Sequence, residues 1–141
     1  MRKKLITWLY IDCVLTIFTG LISLLAAHPA TAGPWLLLFD ILAWPLDGNP
    51  GQFSQLDFAL NGVLGGVMVG WGFMMMLFTK THLTQGDVAA RKSIMVAIVA
   101  WFISDSAASF VSGLPGNVVL NCGFLLMFMV PLRLLKAEEA N

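Results

Sequence analysis

Residues 55–79 read QLDFALNGVLGGVMVGWGFMMMLFT and are followed at once by Lys80. Asp57 is the only ionisable side chain in that run. A hydrocarbon core about 30 Å thick needs roughly 20 apolar residues of helix to cross it. Lipid offers no hydrogen-bond partner to a backbone, so a crossing segment is either a helix or a strand of a closed barrel. The run is too long for a barrel strand and has no alternation of period two, which leaves the helix.

Three further stretches match it on either side: residues 5–27, 93–112 and 115–135. Between these four, the eight basic residues follow one rule. Arg2, Lys3 and Lys4 precede the first stretch; Lys80, Arg91 and Lys92 lie between the second and third; Arg133 and Lys136 close the fourth. The other two connections contain no Lys or Arg. Basic residues are retained on the cytoplasmic side during insertion. The pattern therefore predicts an all-α integral membrane protein, a bundle of four transmembrane helices with both termini cytoplasmic. The expected localisation is the bacterial inner membrane. Residues 1–141 read as a single membrane domain.

Composition agrees. The chain is 58% hydrophobic and 11% charged, with a mean hydropathy of +0.83, too apolar for a water-soluble fold of this length. Its net charge of zero and the membrane-flanking position of the basic clusters point away from a nucleic-acid partner. The N-terminus imitates a cleavable secretory signal, with basic residues, an apolar stretch and Ala30-Thr31-Ala32. That stretch runs about 23 residues against a usual signal core of 7–15, and it contains Asp12, so the expectation is a retained first helix.

Residues 28–52 hold four of the six prolines, and within the segment 34–44 an apolar run from Trp35 to Trp44 lies between two of them. Ten residues of helix extend only about 15 Å, half a bilayer. The run is expected to lie along the outer interface, with Trp35 and Trp44 as its amphipathic anchors, or else to cap the open end of the bundle. Asp40 in its middle needs water or a donor.

Gly62, Gly66 and Gly70 recur every four residues on one face of the second helix, a spacing that lets another backbone approach closely. They are expected to be the helix-packing positions, within the chain or between subunits. Met74, Met75 and Met76 suggest a copper site, but consecutive residues point about 100° apart and cannot converge on one ion. They read as adaptable apolar filling.

Polar residues inside the spans are few. At about 1.5 Å per residue, Asp12 lies about 10 Å from the cytoplasmic boundary and Asp57 near the outer one. Asp105 lies about 10 Å beneath the outer surface, level with Asn61 and Asn121, and Asn117 is one turn above Asn121. Asp105, Asn61, Asn121, Asn117 and Asp57 are therefore the candidate ligand-binding residues. A carboxylate in lipid is costly and finds partners inside the bundle, and no Lys or Arg lies at the depth of Asp105. It is either a ligand or proton site, or a hydrogen-bonded clamp between helices.

No catalytic pattern accompanies it. His28 and His82 fall on opposite sides of the membrane and cannot share a metal. Cys13 and Cys122 fall at different heights and should be free thiols. No nucleophile–base pair, phosphate loop or paired-carboxylate metal motif is present. No enzyme, metal or cofactor is expected.

Gly70-Trp71-Gly72, Trp101-Phe102 followed by Asp105-Ser106, and Asn117 to Asn121 leading to Pro131-Leu132 together resemble a group of short bacterial inner-membrane proteins of four helices and no assigned function. The resemblance covers the second to fourth spans, and it implies fold and membrane but no site. Two functional expectations follow. In the first, the chain is a non-catalytic accessory subunit packed against a larger membrane complex, such as a respiratory or photosynthetic one, or self-associated through its small-residue faces. In the second, it binds or transports a small apolar or cationic ligand in an outer-leaflet pocket around Asp105.

Overall fold

The computed structural model describes residues 1–43 and 52–139. Among them are five α-helices: α1 (Arg2–Leu25), α2 (Gly33–Ala43), α3 (Gln55–Thr81), α4 (Val88–Val111) and α5 (Pro115–Glu139). All but α2 are long and apolar enough to cross a membrane.

Local chemistry sets the helix ends. At the start of α3, Ser54 and Asp57 form a capping box: the Ser54 N–H donates to Asp57 Oδ2 at 2.7 Å, and the Asp57 N–H donates to Ser54 Oγ at 3.3 Å. Two N–H groups that the first turn leaves without partners are thus satisfied. Asp57 is a capping residue, and this corrects its place among the ligand-binding candidates.

Between α3 and α4 the chain turns through Gly86, whose φ of 83° suits a residue without Cβ. Asp87 then caps α4, accepting from the Ala90 N–H at 2.9 Å. That backbone bond, helped by His82, holds the Asp87 carboxyl below its ordinary value of 3.8. Gly113, with φ 79°, ends α4 in the same left-handed way. The Leu114 N–H returns to the Ser109 carbonyl at 2.9 Å, and Pro115 opens α5, where its missing N–H costs nothing.

In the bundle α1 packs on α3 and α5, and α4 packs on α5. Glycines make the α1–α3 seam, but not the ones that four-residue spacing suggests. A Cβ built on Gly65 would lie 2.6 Å from the Gly20 carbonyl oxygen and would strike the Leu24 backbone. One on Gly72 would lie 2.6 Å from Ile17 Cγ1, and one on Gly20 2.8 Å from Met68 Cβ. Gly62 meets only the Ala27 side chain, at 3.0 Å, while Gly66 and Gly70 have nothing within 4 Å. Within this chain the Gly62-Gly66-Gly70 stripe is therefore not the packing face. Gly65 and Gly72, two turns apart, face α1; Gly66 is rotated about 100° from Gly65 and looks outward.

The end of the bundle where α1 begins and α5 finishes is filled by apolar side chains from all four long helices. Leu9, Ile98, Phe128, Leu132 and Leu135 are fully enclosed there. At the opposite end α2 lies across the helices and buries Trp35, Asp40 and Leu42. Gly116, in the first turn of α5, lets the α2 backbone at Leu42 come into contact, where any side chain would collide. Trp35 is thus turned into the protein and is only 5% exposed. This corrects its expected position at the membrane interface. Trp44, the other expected anchor, lies outside the described residues.

Candidate functional site

α3 and α4 approach each other less closely than the other neighbouring long helices. They meet through the indoles of Trp71 and Trp101, whose ring centroids are 5.8 Å apart. Between this contact and α2 lies a cavity of about 550 Å³ to which all five helices contribute. Trp35 and Phe39 come from α2, Leu64 and Trp71 from α3, and Trp101 from α4. This is the size and mostly apolar character of a small-molecule site.

One wall is polar. Asp105 on α4 faces Asn117 and Asn121 on α5, and all three line the cavity. Asn121 Nδ2 donates to Asp105 Oδ2 at 2.6 Å, and Asn117 Nδ2 donates to the same oxygen at 3.2 Å. The second hydrogens of the two amides go to serines of α4: Asn117 Nδ2 to Ser109 Oγ at 2.8 Å, and Asn121 Nδ2 to Ser106 Oγ at 3.2 Å. Helical geometry produces this ladder. Asp105 and Ser109 are one turn apart on α4, Asn117 and Asn121 one turn apart on α5, and the tight turn at Gly113 sets the two pairs side by side. Four bonds hold the α4–α5 seam, and one carboxylate and two amide oxygens remain as acceptors.

Asn61 is not part of this group. Its side-chain oxygen accepts from Trp35 Nε1 at 2.8 Å, and its backbone carbonyl accepts from Ser23 Oγ at 2.9 Å. It shares the depth of Asp105 by residue count but faces α1 and α2, which corrects the expected layer of Asn61, Asp105 and Asn121. Its contribution to the cavity is indirect: it fixes Trp35, a wall residue, and ties α2 to α3.

Sequence reasoning also missed the aromatic wall. Trp101 and Asp105 stand four apart on one helix, so they share a face, and that spacing is a signal the sequence carries. Nothing local marks Trp71 as their partner. On α1, Thr16 and Thr19 line the cavity too; their hydroxyls donate to the Asp12 and Leu15 carbonyls of their own helix at 2.9 Å each.

Other chemistry-bearing residues lie apart. Among the described residues no group of His, Cys, Asp and Glu could hold a metal ion, and Cys13 and Cys122 are free. His28 Nδ1 accepts from the Ala30 N–H at 3.2 Å at one end of the molecule, while His82 sits 3.1 Å from Asp87 at the other. Asp12 is buried in α1, with Oδ2 lacking a hydrogen-bond partner among the described residues.

Fold and site together define a helical protein of membrane type with a largely apolar, partly open cavity and, among the described residues, one carboxylate in its wall. No protein-family model, curated protein or solved structure matches the chain.

Proposed function

We propose that this chain is a membrane-embedded binding protein for a small, predominantly apolar molecule, held in the cavity between α3 and α4 beneath α2. The cavity itself carries the reading, since it combines drug-sized volume, aromatic walls and a single convergent polar cluster. A purely structural clamp of Asp105, Asn117 and Asn121 would account for the polar bonds but not for the space beside them. Purification in mild detergent followed by native mass analysis tests the reading. A small molecule retained by the wild-type chain and lost from Leu64→Trp, which fills the space, is the expected result. Equal masses for both proteins count against it.

The accessory-subunit reading keeps one observation of its own. Gly66 and Gly70 lie on an outward face of α3 beside the exposed side chains of Val63 and Val67, a surface that suits close approach by another helix in lipid. The same mass experiment separates the two readings, because this one predicts a stoichiometric protein partner.

The proposed setting is a bacterial inner membrane with both termini in the cytoplasm. It is supported by the basic residues gathered at one end and by the resemblance to short four-helix inner-membrane proteins. In a Cys122→Ser background, Ala30→Cys should react with an impermeant thiol reagent in intact cells and Gln85→Cys should not. Both positions are exposed; the reverse pattern inverts the topology.

A further inference from the structure

The hydrogen-bonding state of the cavity wall indicates what kind of molecule it accepts. Both hydrogens of the Asn117 amide and both of the Asn121 amide are engaged with Asp105 and the two serines. The Thr16 and Thr19 hydroxyls give their single protons to carbonyls of their own helix. Trp35 gives its indole N–H to Asn61. Apart from the indoles of Trp71 and Trp101, each hydrogen-bond donor among the lining side chains is already engaged. The carboxylate, two amide oxygens and two hydroxyl oxygens keep lone pairs. Among the described residues no Lys, Arg or His lines the cavity. A wall of acceptors with one carboxylate and no cation is complementary to a donor that carries positive charge. The rest of the lining suits the same molecule, because indole rings attract a cation electrostatically, most strongly where water is excluded.

We propose that the cavity takes an amphipathic organic cation, a protonated alkyl- or arylalkyl-amine whose ammonium group sits at Asp105, Asn117 and Asn121. Its apolar body lies against Trp35, Trp71 and Trp101. The proposal rests on the small-molecule reading above and narrows it to one ligand class. Charge neutralisation is its physical centre. Asp105 is half-buried and accepts from two neutral amides, with no basic side chain among the described residues that line the cavity, and the ligand supplies the cation.

Three probes of equal length and different head group test it: phenylbutylamine, phenylbutanol and phenylbutyrate, which at neutral pH present a cation, a neutral donor and an anion. Binding is followed by quenching of tryptophan emission with the protein in nanodiscs of zwitterionic lipid, and empty nanodiscs correct for partitioning. The amine should bind at least about tenfold more tightly than the alcohol, since charge-assisted hydrogen bonds are roughly twice as strong as neutral ones. The acid should bind weakest. Asp105→Asn should bring the amine down to the level of the alcohol without weakening the alcohol, while Asp105→Glu should keep the preference for the amine. Retained alcohol binding by Asp105→Asn also shows that this variant is folded.

Equal affinity for amine and alcohol, indifferent to Asp105→Asn, overturns the cation proposal and leaves the small-molecule reading standing. A preference for phenylbutyrate overturns it as well. Binding of none of the three overturns both.

Discussion

The end of the bundle where α1 begins and α5 finishes and the end that α2 covers are built from the same four long helices, one filled and the other hollow. In the first, Leu9, Ile98, Phe128, Leu132 and Leu135 interdigitate with no measurable exposure beyond 1%. In the second, Trp71, Trp101 and Phe124 are half-buried around open space. What differs is the means of joining. The filled end is held by dispersion contacts between large side chains. The hollow end has a smaller apolar cluster around Ala26, Ala32 and Trp35 and the close Gly20–Gly65 seam, and it adds polar bonds, four between α4 and α5 and one each from Trp35 and Ser23 to Asn61. Directional bonds join helices without filling the volume between them, and this is how the cavity persists.

Truncating one aromatic residue in each half gives the largest expected effect. Phe128→Ala removes a fully enclosed ring and should cost about 3–5 kcal/mol, the usual range for a buried phenylalanine. Phe124→Ala, four residues away on the cavity wall, should cost well under half of that. Thermal unfolding in detergent measures both, and equal losses would erase the distinction between a filled and a hollow half.

Next in size is the glycine contrast on α3. Gly72→Leu drives a side chain into Ile17 and the Cys13 backbone and should destabilise by at least about 1–3 kcal/mol, the ordinary cost of overpacking. Gly66→Leu enters open space and should be nearly neutral to the stability of the isolated chain. If Gly66→Leu proves as damaging as Gly72→Leu in the membrane but not in detergent, a partner occupies that face.

The last contrast lies in the polar seam. Asp105→Leu leaves the Asn117 and Asn121 amides each short of an acceptor, at about 1–3 kcal/mol for each group that ends without one. Asp105→Asn keeps an acceptor in place and should change stability little. A large loss in both variants would mean that the charge itself holds α4 to α5.

Much of this architecture is legible in the order of residues. Four apolar runs bounded by basic clusters correspond to the four long helices, and Pro115 and the glycines at 86 and 113 mark the turns. Asp105, Asn117 and Asn121 were identifiable as candidates because depth follows from counting residues at a fixed rise, and the structure brings these three together. Asn61 and Trp35 show where counting stops. Asn61 has the depth of Asp105 but a different azimuth, and Trp35 was expected at the interface because an indole between prolines suits that position. Only the docking of α2 on Gly116 and the bond to Asn61 turn it inward.

The glycines of α3 give the same lesson. The chain offers both the four-residue series Gly62-Gly66-Gly70 and the seven-residue pair Gly65 and Gly72, and either could face a neighbour. Length, hydrophobicity and charge belong to each segment separately, so the sequence by itself determined how many helices form and which residues share a level and a face. The rotation of each helix about its axis was decided only in the tertiary structure. It depends on which pairs of surfaces fit when all the helices are packed at once: Gly65 against Gly20, Trp71 against Trp101, and Asp105 against the two asparagines. The cavity is the space those fits leave open, so no single segment encodes it.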